Sequence, residues 1–441
     1  MPKMKGIPEE AVLALVLSTG LLAHTSDIYV TPSAWVVWTA VWLMSLSLAA
    51  RADALAARLG LTSLFALQVF YIAWYFPDIT NHEVVLFVLE ISFLWDVSRS
   101  VHRTDAVDRL RRRLPVVIGA MYLWAGFHKL NPDFFFAPFS CMNAMWARLP
   151  LPPLPSFLLP GTAALVAGGE ILLGALLLLN RARGPVLLLA FLFHSALLLA
   201  DFGPFTIPLY AFLILLLPES VRRRWLETTA KRDVLFFALL SAAGLFIFEW
   251  WRTVPALPWR FVPVFTGSLP AFLSVVRCWR PAVPERPPGP TRLSAAVLGS
   301  LMFLWGFQPY IGLRTNGVFN MYSNLLTEND RGNHVLVPSS WARLFPYQHD
   351  LVRADFEIWP RSWELQRLNH KWVPRLELLK QIRKHRDKEG PLAGRLTGPL
   401  WEKGFLDSHD IAREPSLEKA GDRWLLPWLQ FRATASNQCE W

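Results

Sequence analysis

The feature that most constrains this chain is a repeated alternation of apolar runs with short basic loops. A run of about 20 apolar residues crosses a bilayer as a helix, and shorter runs cross it only partly or in a thinned region. We predict about eleven spans from these runs, at roughly residues 10–24, 34–50, 60–76, 84–97, 114–130, 161–179, 185–200, 204–217, 234–251, 261–276 and 293–309.

The basic residues set the predicted orientation of these spans. With the N-terminus in the cytoplasm, the inside loops and the N-terminus hold about 21 Lys and Arg, whereas the outside loops hold about three. This asymmetry is typical of the positive-inside rule. We therefore attribute the net charge of +10 to membrane topology and not to nucleic-acid binding.

An odd number of spans places the C-terminus outside the cytoplasm. Residues 310–441 are polar and mixed, and the stretch "RWLLPWLQF" is too short to span a bilayer. The predicted fold is thus an all-α polytopic membrane domain over residues 1–309, followed by a small α+β extracytoplasmic segment over 310–441. In a bacterial inner membrane this segment would be periplasmic.

The spacing of the three cysteines matches no disulfide or metal-binding motif. Cys141, Cys278 and Cys439 form neither a CxxC pair nor a metal-ligand spacing. We therefore expect no disulfide framework and predict no metal site.

Polar side chains in or beside the predicted spans are the candidate site residues. Ionisable groups within a bilayer are unfavourable by several kcal/mol unless they face protein or a cavity. The candidates that approach the outer half of the membrane are Asn81 and His82 before the fourth span, Lys129 at the end of the fifth, Glu170 at mid-depth in the sixth, and His194 and Asp201 in and after the seventh. Asp201 follows His194 by two helical turns, so we predict that the two share one helix face and are coupled.

Each candidate also has a purely structural interpretation. The Lys129 side chain could reach the lipid headgroups as an interfacial anchor. Glu170, next to Gly168 and Gly169, could join two closely crossing helices. His82 and Asp201 could be loop or helix-boundary residues, and His194 a hydrogen-bonded core histidine.

Several of these stretches also carry a family resemblance. "DITNHEVVLFVLEISFLWD", "YLWAGFHKLNPDFF", "GGEILLGALLLL" and "FHSALLLADFGPF" occur in this order, and "QPYIGLRTNGVFNMYSNLLTE" follows. Together they resemble the horizontally transferred transmembrane (HTTM) domain, the membrane domain of vitamin K-dependent gamma-carboxylase-like proteins. The likeness covers residues 60–220 well and 300–340 moderately. The Gly-x-x-Lys element is also similar to that of smaller DoxX-like redox membrane proteins.

The resemblance implies a reduced quinone, of the menaquinol or vitamin K type, as cofactor. It implies that Lys129 deprotonates the quinol, that His82 takes part in oxygenation and that Asn81 lies beside it. In the carboxylases, the oxygenated quinol then removes a proton from a glutamyl γ-carbon, to which carbon dioxide adds. His128 stands where they carry the first lysine of a pair, and their lumenal portion is much larger. We place His128, Glu170, His194 and Asp201 in the surrounding ligand pocket.

Three functions stay open on the sequence. The first is a quinol-dependent enzyme or redox protein acting at the outer membrane face. The second is a non-catalytic membrane component that anchors or assists an extracytoplasmic protein or peptide. The third is a proton-coupled transporter with Glu170, His194 and Asp201 as its relay. The feature that discriminates among them is whether Lys129 and His82 share a pocket reached from the lipid.

Overall fold

A computed structural model was obtained for the chain. It describes residues 9–24, 41–45, 54–76, 79–99, 106–149, 151–179, 183–199, 203–228, 276, 292–320, 322–327, 332–338, 344–345, 347, 349–357, 360, 362–389, 391–419 and 422.

The described residues form thirteen α-helices, which make the protein mostly helical. The first eleven are α1 (Glu9–His24), α2 (Ala54–Tyr75), α3 (Asn81–Arg99), α4 (Ala106–His128), α5 (Pro132–Phe136), α6 (Cys141–Trp146), α7 (Leu159–Leu178), α8 (Arg183–Leu199), α9 (Gly203–Leu216), α10 (Glu219–Thr228) and α11 (Arg292–Ile311). A C-terminal module follows, with β1 (Leu351–Phe356), α12 (Trp363–Leu368), β2 (Trp372–Pro374), α13 (Arg375–Glu389), β3 (Gly394–Thr397) and β4 (Phe405–Ser408).

The prediction of eleven spans is not reproduced in the described residues. Two helical segments are long and apolar enough to cross a membrane, Leu55–Trp74 and Ser156–Leu178. Helix α3 carries three acidic residues, and α8 and α9 have only 17 and 14 residues. The predicted span 234–251 and nearly all of 261–276 lie outside the described residues. Two such helices alone are weak evidence for a membrane location, because core helices of soluble proteins pass the same test.

Helices α4 and α7 make the most extensive helix–helix contact in the described part of the chain. Glycine permits this close approach. A Cβ atom at Gly126 would lie 2.6 Å from the carbonyl oxygen of Ala167, and one at Gly174 would lie 2.6 Å from that of Gly119. The glycines that the sequence suggested for a close crossing, Gly168 and Gly169, have open space where a Cβ would be. The crossing therefore depends on a different set of glycines.

We expect Gly126→Ala to destabilise the protein by about 1–3 kcal/mol, since the added methyl group overpacks the α4–α7 contact. The matched control is Gly168→Ala, which places the same methyl group in open space. It should be neutral or stabilise α7 by up to about 1 kcal/mol through helix propensity. Apparent melting temperatures of the two detergent-purified variants measure the difference. A smaller loss for Gly126→Ala than for Gly168→Ala would contradict the crossing.

The C-terminal module is a four-stranded antiparallel sheet of order β2-β1-β3-β4, packed with α13. Its own apolar core includes Val352, Leu379 and Leu396. This sheet confirms the predicted α+β character of the C-terminal segment.

A buried arginine ties the two ends of this module together. The guanidinium of Arg375 donates to Asp350 at 2.7 Å and to Asp422 at 2.5 Å. Burial raises the pKa of Asp350, but hydrogen bonds from Lys419 and Arg375 outweigh it and hold that pKa below its usual value. The charged pairs therefore fix where the chain enters and leaves the sheet.

Most of the segment between α11 and the module packs on the helical body, whereas Leu313, directly after α11, contacts the core of the module. Phe319 and Leu325 are buried in the main helical core, whereas the buried residues of the second core begin at Val352. The segment between α11 and β1 thus covers the end of the helical body.

Cys141 forms a disulfide, although the sequence led us to expect no disulfide framework. The chain has three cysteines, so the partner is Cys278 or Cys439, which both lie outside the described residues. Spacing motifs cannot reveal a single long-range disulfide, since its two cysteines need not be near each other in sequence.

Candidate functional site

Lys129 directly follows α4, and its side chain points into the protein. Its Nζ donates to the Glu170 carboxylate at 2.7 Å and to the Ala125 carbonyl at 3.2 Å. Only 2% of Lys129 and 8% of Glu170 are exposed. The side chain therefore does not reach toward lipid headgroups as an interfacial anchor would.

The local helix geometry explains how these two groups meet. Side chains near the C-terminal end of a helix lean back toward its N-terminus, and Lys129 accordingly reaches the carbonyl one turn earlier. Glu170 lies on α7 within the stretch that passes closest to Gly126. A mid-depth carboxylate and a helix-end amine thus form one ion pair.

A buried pair of this kind holds one exchangeable proton between two groups. Ionised carboxylates and amines lose their hydration when buried, and pairing with a hydrogen bond offsets that loss. The proton can reside on the amine, giving an ion pair, or on the carboxyl, giving two neutral groups. Glu170 therefore offers Lys129 a place to deliver a proton without exposing a lone charge.

The ion pair opens onto a cavity that is otherwise mainly apolar. Its free volume is about 30 Å³, about the share of one water molecule in the liquid, so the lining side chains must move apart to admit a ring-sized ligand. Its lining side chains come from six helices, the turn after α4 and the segment after α11: Asn81, Met121, Tyr122, Ala125, Lys129, Met145, Glu170, Phe193, Leu197, Phe205, Phe319 and Tyr322. An apolar ring system bearing a polar oxygen fits this composition.

Asn81 fixes one wall of the cavity. It is the first residue of α3, and its side-chain oxygen accepts a hydrogen bond from the backbone N–H of Phe319. Asn81 thereby connects α3 to the covering segment, which we call the strap and define as described residues 314–320, 322–327 and 332–337. In this structure the asparagine positions the strap against the cavity.

The strap carries unusual backbone strain where it meets the cavity. Phe319, Tyr322 and Asn324 have φ angles of 63°, 51° and 52°. Positive φ is uncommon for residues other than glycine, above all for bulky ones, and such strain concentrates at functional sites. Phe319 and Tyr322 both line the cavity. The strap thus accepts strain in order to place two aromatic rings there.

Hydrogen bonds hold the strap onto the end of α4. His334 accepts the backbone N–H groups of Leu336 and Val337 at its Nδ1, each at 3.1 Å. Its Nε2 must then carry the proton that it donates to the Phe127 carbonyl at 2.8 Å. Burial lowers the pKa of His334, although the bond to Phe127 opposes this. A neutral imidazole therefore caps the helix end next to Lys129.

A second set of bonds anchors the strap through asparagines. Asn333 donates to Asp133 and to the Asn324 carbonyl, both at 2.8 Å. Asn131 donates to the Ser323 carbonyl at 2.5 Å. The turn after Lys129 and the strap are consequently one connected unit.

The remaining sequence-predicted residues are only partly brought together. His82 does not line the cavity, but its ring lies 6.0 Å from that of Phe205, which does. Its Nδ1 is 2.9 Å from the Thr80 hydroxyl. His82 and Lys129 therefore do not share the cavity wall, although Asn81 and Lys129 do.

His128 faces away from the cavity. Its Nε2 lies 3.1 Å from the Gly306 carbonyl of α11, and its ring stacks near Trp124 and Tyr310 at 5.1 and 5.6 Å. Adjacent helical residues point about 100° apart, so His128 packs on α11 while Lys129 turns toward α7. The placement of His128 in the pocket was wrong for this reason.

The partner of His194 within the described residues lies on another helix. Its Nε2 is hydrogen-bonded to the hydroxyl of Tyr122, and its ring lies 5.3 Å from that of Phe205. Asp201, the predicted partner, lies outside the described residues. The link from His194 thus runs to α4 and to a residue that lines the cavity.

Sequence reasoning missed nine of the twelve residues of the cavity wall, among them Tyr122, Phe319 and Tyr322. A signal existed for Tyr122, which precedes Lys129 by seven residues and therefore shares its helix face. No periodic pattern marks Phe319 and Tyr322, because their backbone is neither helix nor strand.

Within the described residues, no group of three or more His, Cys, Asp or Glu could hold a metal ion. Comparison with known protein families, with curated proteins and with solved structures finds no match to this chain.

Proposed function

We propose that this protein is an HTTM-like, vitamin K-dependent carboxylase-like membrane protein that binds a reduced quinone in the cavity beside Lys129. The observation that carries the proposal is the buried Lys129–Glu170 pair at the wall of a mainly apolar cavity. A quinol combines an apolar ring with acidic hydroxyl groups. The cavity supplies apolar contact for the first and a proton acceptor for the second.

Lys129 acts in this proposal as the base that takes a hydroxyl proton from the quinol. A general base must be neutral when it acts and must lie within hydrogen-bond reach of the proton. Glu170 helps by holding the proton that a neutral Lys129 has given up. Asn81 contributes by fixing the strap, and His82 supports the Phe205 wall from behind. The quinol itself supplies the redox chemistry.

We also propose that the helical body spans the membrane with its N-terminus inside and the strap and C-terminal module outside. The basic loops of the sequence support this orientation. The membrane location itself is supported by a stripe of exposed leucines at seven-residue spacing on and beside α7: Leu158 (46% exposed), Leu165 (75%), Leu172 (56%) and Leu179 (64%). Lipid chains would cover such a stripe, whereas water would not.

Cysteine labelling tests this topology. In a background with Cys141, Cys278 and Cys439 all replaced by serine, Leu336→Cys in the strap should react with a membrane-impermeant maleimide in intact cells, whereas Arg223→Cys in α10 should react only after lysis. Both positions are exposed, at 63% for Leu336 and 70% for the Arg223 side chain. The reverse pattern would place the cavity's strap in the cytoplasm and end the outer-face proposal.

Mass spectrometry of co-purified lipids tests the ligand. The detergent-extracted protein should carry a quinone at close to one molecule per chain. The double variant Lys129→Met, Glu170→Leu replaces the pair with apolar groups of similar size and should lose it. Leu172→Ala, which changes only the exposed stripe, is the control and should retain it. Equal quinone in all three preparations would mean that the lipid is carried by the detergent micelle and not by the cavity.

A further inference from the structure

The cavity has a second polar group that the proposed function does not use. Tyr122 lines the cavity from α4 and is 1% exposed, and its hydroxyl is hydrogen-bonded to Nε2 of the fully buried His194. Tyr122 lies two helical turns from Lys129 on the same face of the chain. The cavity therefore has a second polar group, the Tyr122 hydroxyl, in addition to the Lys129–Glu170 ion pair.

The tautomer of His194 determines whether the Tyr122 hydroxyl can donate its proton to a ligand. The other ring nitrogen, Nδ1, is buried and has no hydrogen-bond partner among the residues that the structure describes. Buried N–H groups without an acceptor are rarer than acceptors without a donor, which favours the tautomer with its proton on Nε2. In that tautomer Nε2–H donates to the Tyr122 oxygen, and the tyrosine's own proton remains to be donated.

That proton has no acceptor among the described residues. The bond to His194 is the single hydrogen bond that Tyr122 makes within them. A buried hydroxyl donor without an acceptor is unfavourable, and tyrosine hydroxyls usually find a partner when buried. An oxygen of a molecule in the cavity can supply that acceptor.

We propose that the Tyr122 hydroxyl donates a hydrogen bond to a second oxygen of the cavity's ligand, at the end opposite Lys129, and that His194 is the positioning residue that orients this hydroxyl. The inference rests on the proposed quinone function and makes it more specific. The site then recognises a flat apolar ring with oxygens at both ends, as in a 1,4-quinone, over one with a single oxygen.

Two probes on one skeleton test the proposal. 2,3-Dimethyl-1,4-naphthoquinone has an oxygen at each end of the ring, and α-tetralone has one. Binding of each is measured by equilibrium dialysis against the detergent-purified full chain. Tyr122→Phe removes only the hydroxyl and should weaken naphthoquinone binding roughly 2- to 12-fold, the range of one hydrogen bond, while tetralone binding changes less than 2-fold. Tyr310→Phe, which removes a buried hydroxyl away from the cavity, is the matched control and should change neither.

The positioning role of His194 is tested by rescue. His194→Leu should reproduce the selective loss of naphthoquinone binding, because nothing then orients the Tyr122 hydroxyl. His194→Gln keeps an N–H donor near Nε2 and should restore most of the preference. A merely structural role would weaken both probes together in either variant.

The binding results distinguish a failure of the quinone function from a failure of the role of Tyr122. If the wild-type protein binds neither probe, the quinone function and the inference both fail. If it binds both, and Tyr122→Phe changes both equally or neither, the quinone site stands and the role of Tyr122 is overturned. If Tyr122→Phe selectively loses naphthoquinone binding, and His194→Gln keeps the preference that His194→Leu loses, the results support the Tyr122 hydroxyl as a donor to the second oxygen of the ligand.

Discussion

Glu170→Leu is expected to destabilise the protein by about 3–5 kcal/mol, because it leaves the Lys129 ammonium buried without its partner. The side chains of both residues are nearly inaccessible, at 3% and 10% exposure, and the pair is joined at 2.7 Å. Neither residue can turn to solvent without opening the α4–α7 contact. Thermal or denaturant unfolding of the purified variant in detergent measures the loss.

The double variant Lys129→Met, Glu170→Leu is the control for this prediction. Replacing a whole buried ion pair with apolar side chains is often neutral or stabilising, so stability should return to near the wild-type value. The two single losses would then greatly exceed the loss in the double variant, which is the signature of direct coupling. Additive losses would show that Lys129 and Glu170 do not depend on each other.

The site could be predicted from the sequence only where one short stretch determines it. Lys129 and Asn81 stand out because a charged or amide group next to an apolar run is rare and needs a reason. Their shared cavity agrees with that prediction. The pairing of Lys129 with Glu170 did not follow, because the sequence placed one at the membrane's edge and the other at mid-depth. The two groups meet because the Lys129 side chain extends back along its helix to the depth of Glu170.

Partners on other helices were the main limit. Two-turn spacing relates His194 to Asp201 on one helix, but which neighbouring helix faces His194 depends on tertiary packing. The structure places Tyr122 of α4 there. The same reason explains why Gly126 was not predicted as a contact residue. Nothing in the sequence around a single glycine in an apolar run shows that a Cβ atom there would lie 2.6 Å from a carbonyl oxygen of another helix.

The fold was predictable in class and less so in detail. Apolar runs gave helices, and the mixed C-terminal sequence gave a small sheet beside a helix, as observed. The number of membrane-crossing helices was not predictable from run length alone. Helix α3, for instance, was predicted as a span, but it contains three buried acidic residues, Glu83, Glu90 and Asp96, as well as exposed apolar side chains at Ile91 and Trp95.

Lys129→Arg is expected to preserve the fold yet lower any quinol-dependent turnover by roughly 10²- to 10⁴-fold, the usual contribution of a general base. An arginine can pair with Glu170 through a charge-assisted, bidentate contact, so the buried charges stay balanced. It cannot act as a base, because its guanidinium remains protonated under all ordinary conditions. The substitution thus separates the need for a positive charge from the need for a neutral amine.

Oxygen consumption with added 2,3-dimethyl-1,4-naphthoquinol measures this turnover, corrected for the rate without protein. Leu130→Ile, one residue away and of equal size, is the matched control and should retain nearly full activity. Full activity in the Lys129→Arg variant would mean that the residue supplies charge alone. If even the wild-type protein consumes no oxygen beyond the uncatalysed rate while still carrying quinone, the cavity binds its ligand without turning it over. A non-catalytic membrane component would then be the better account of the protein, with the Lys129–Glu170 pair serving recognition rather than proton transfer.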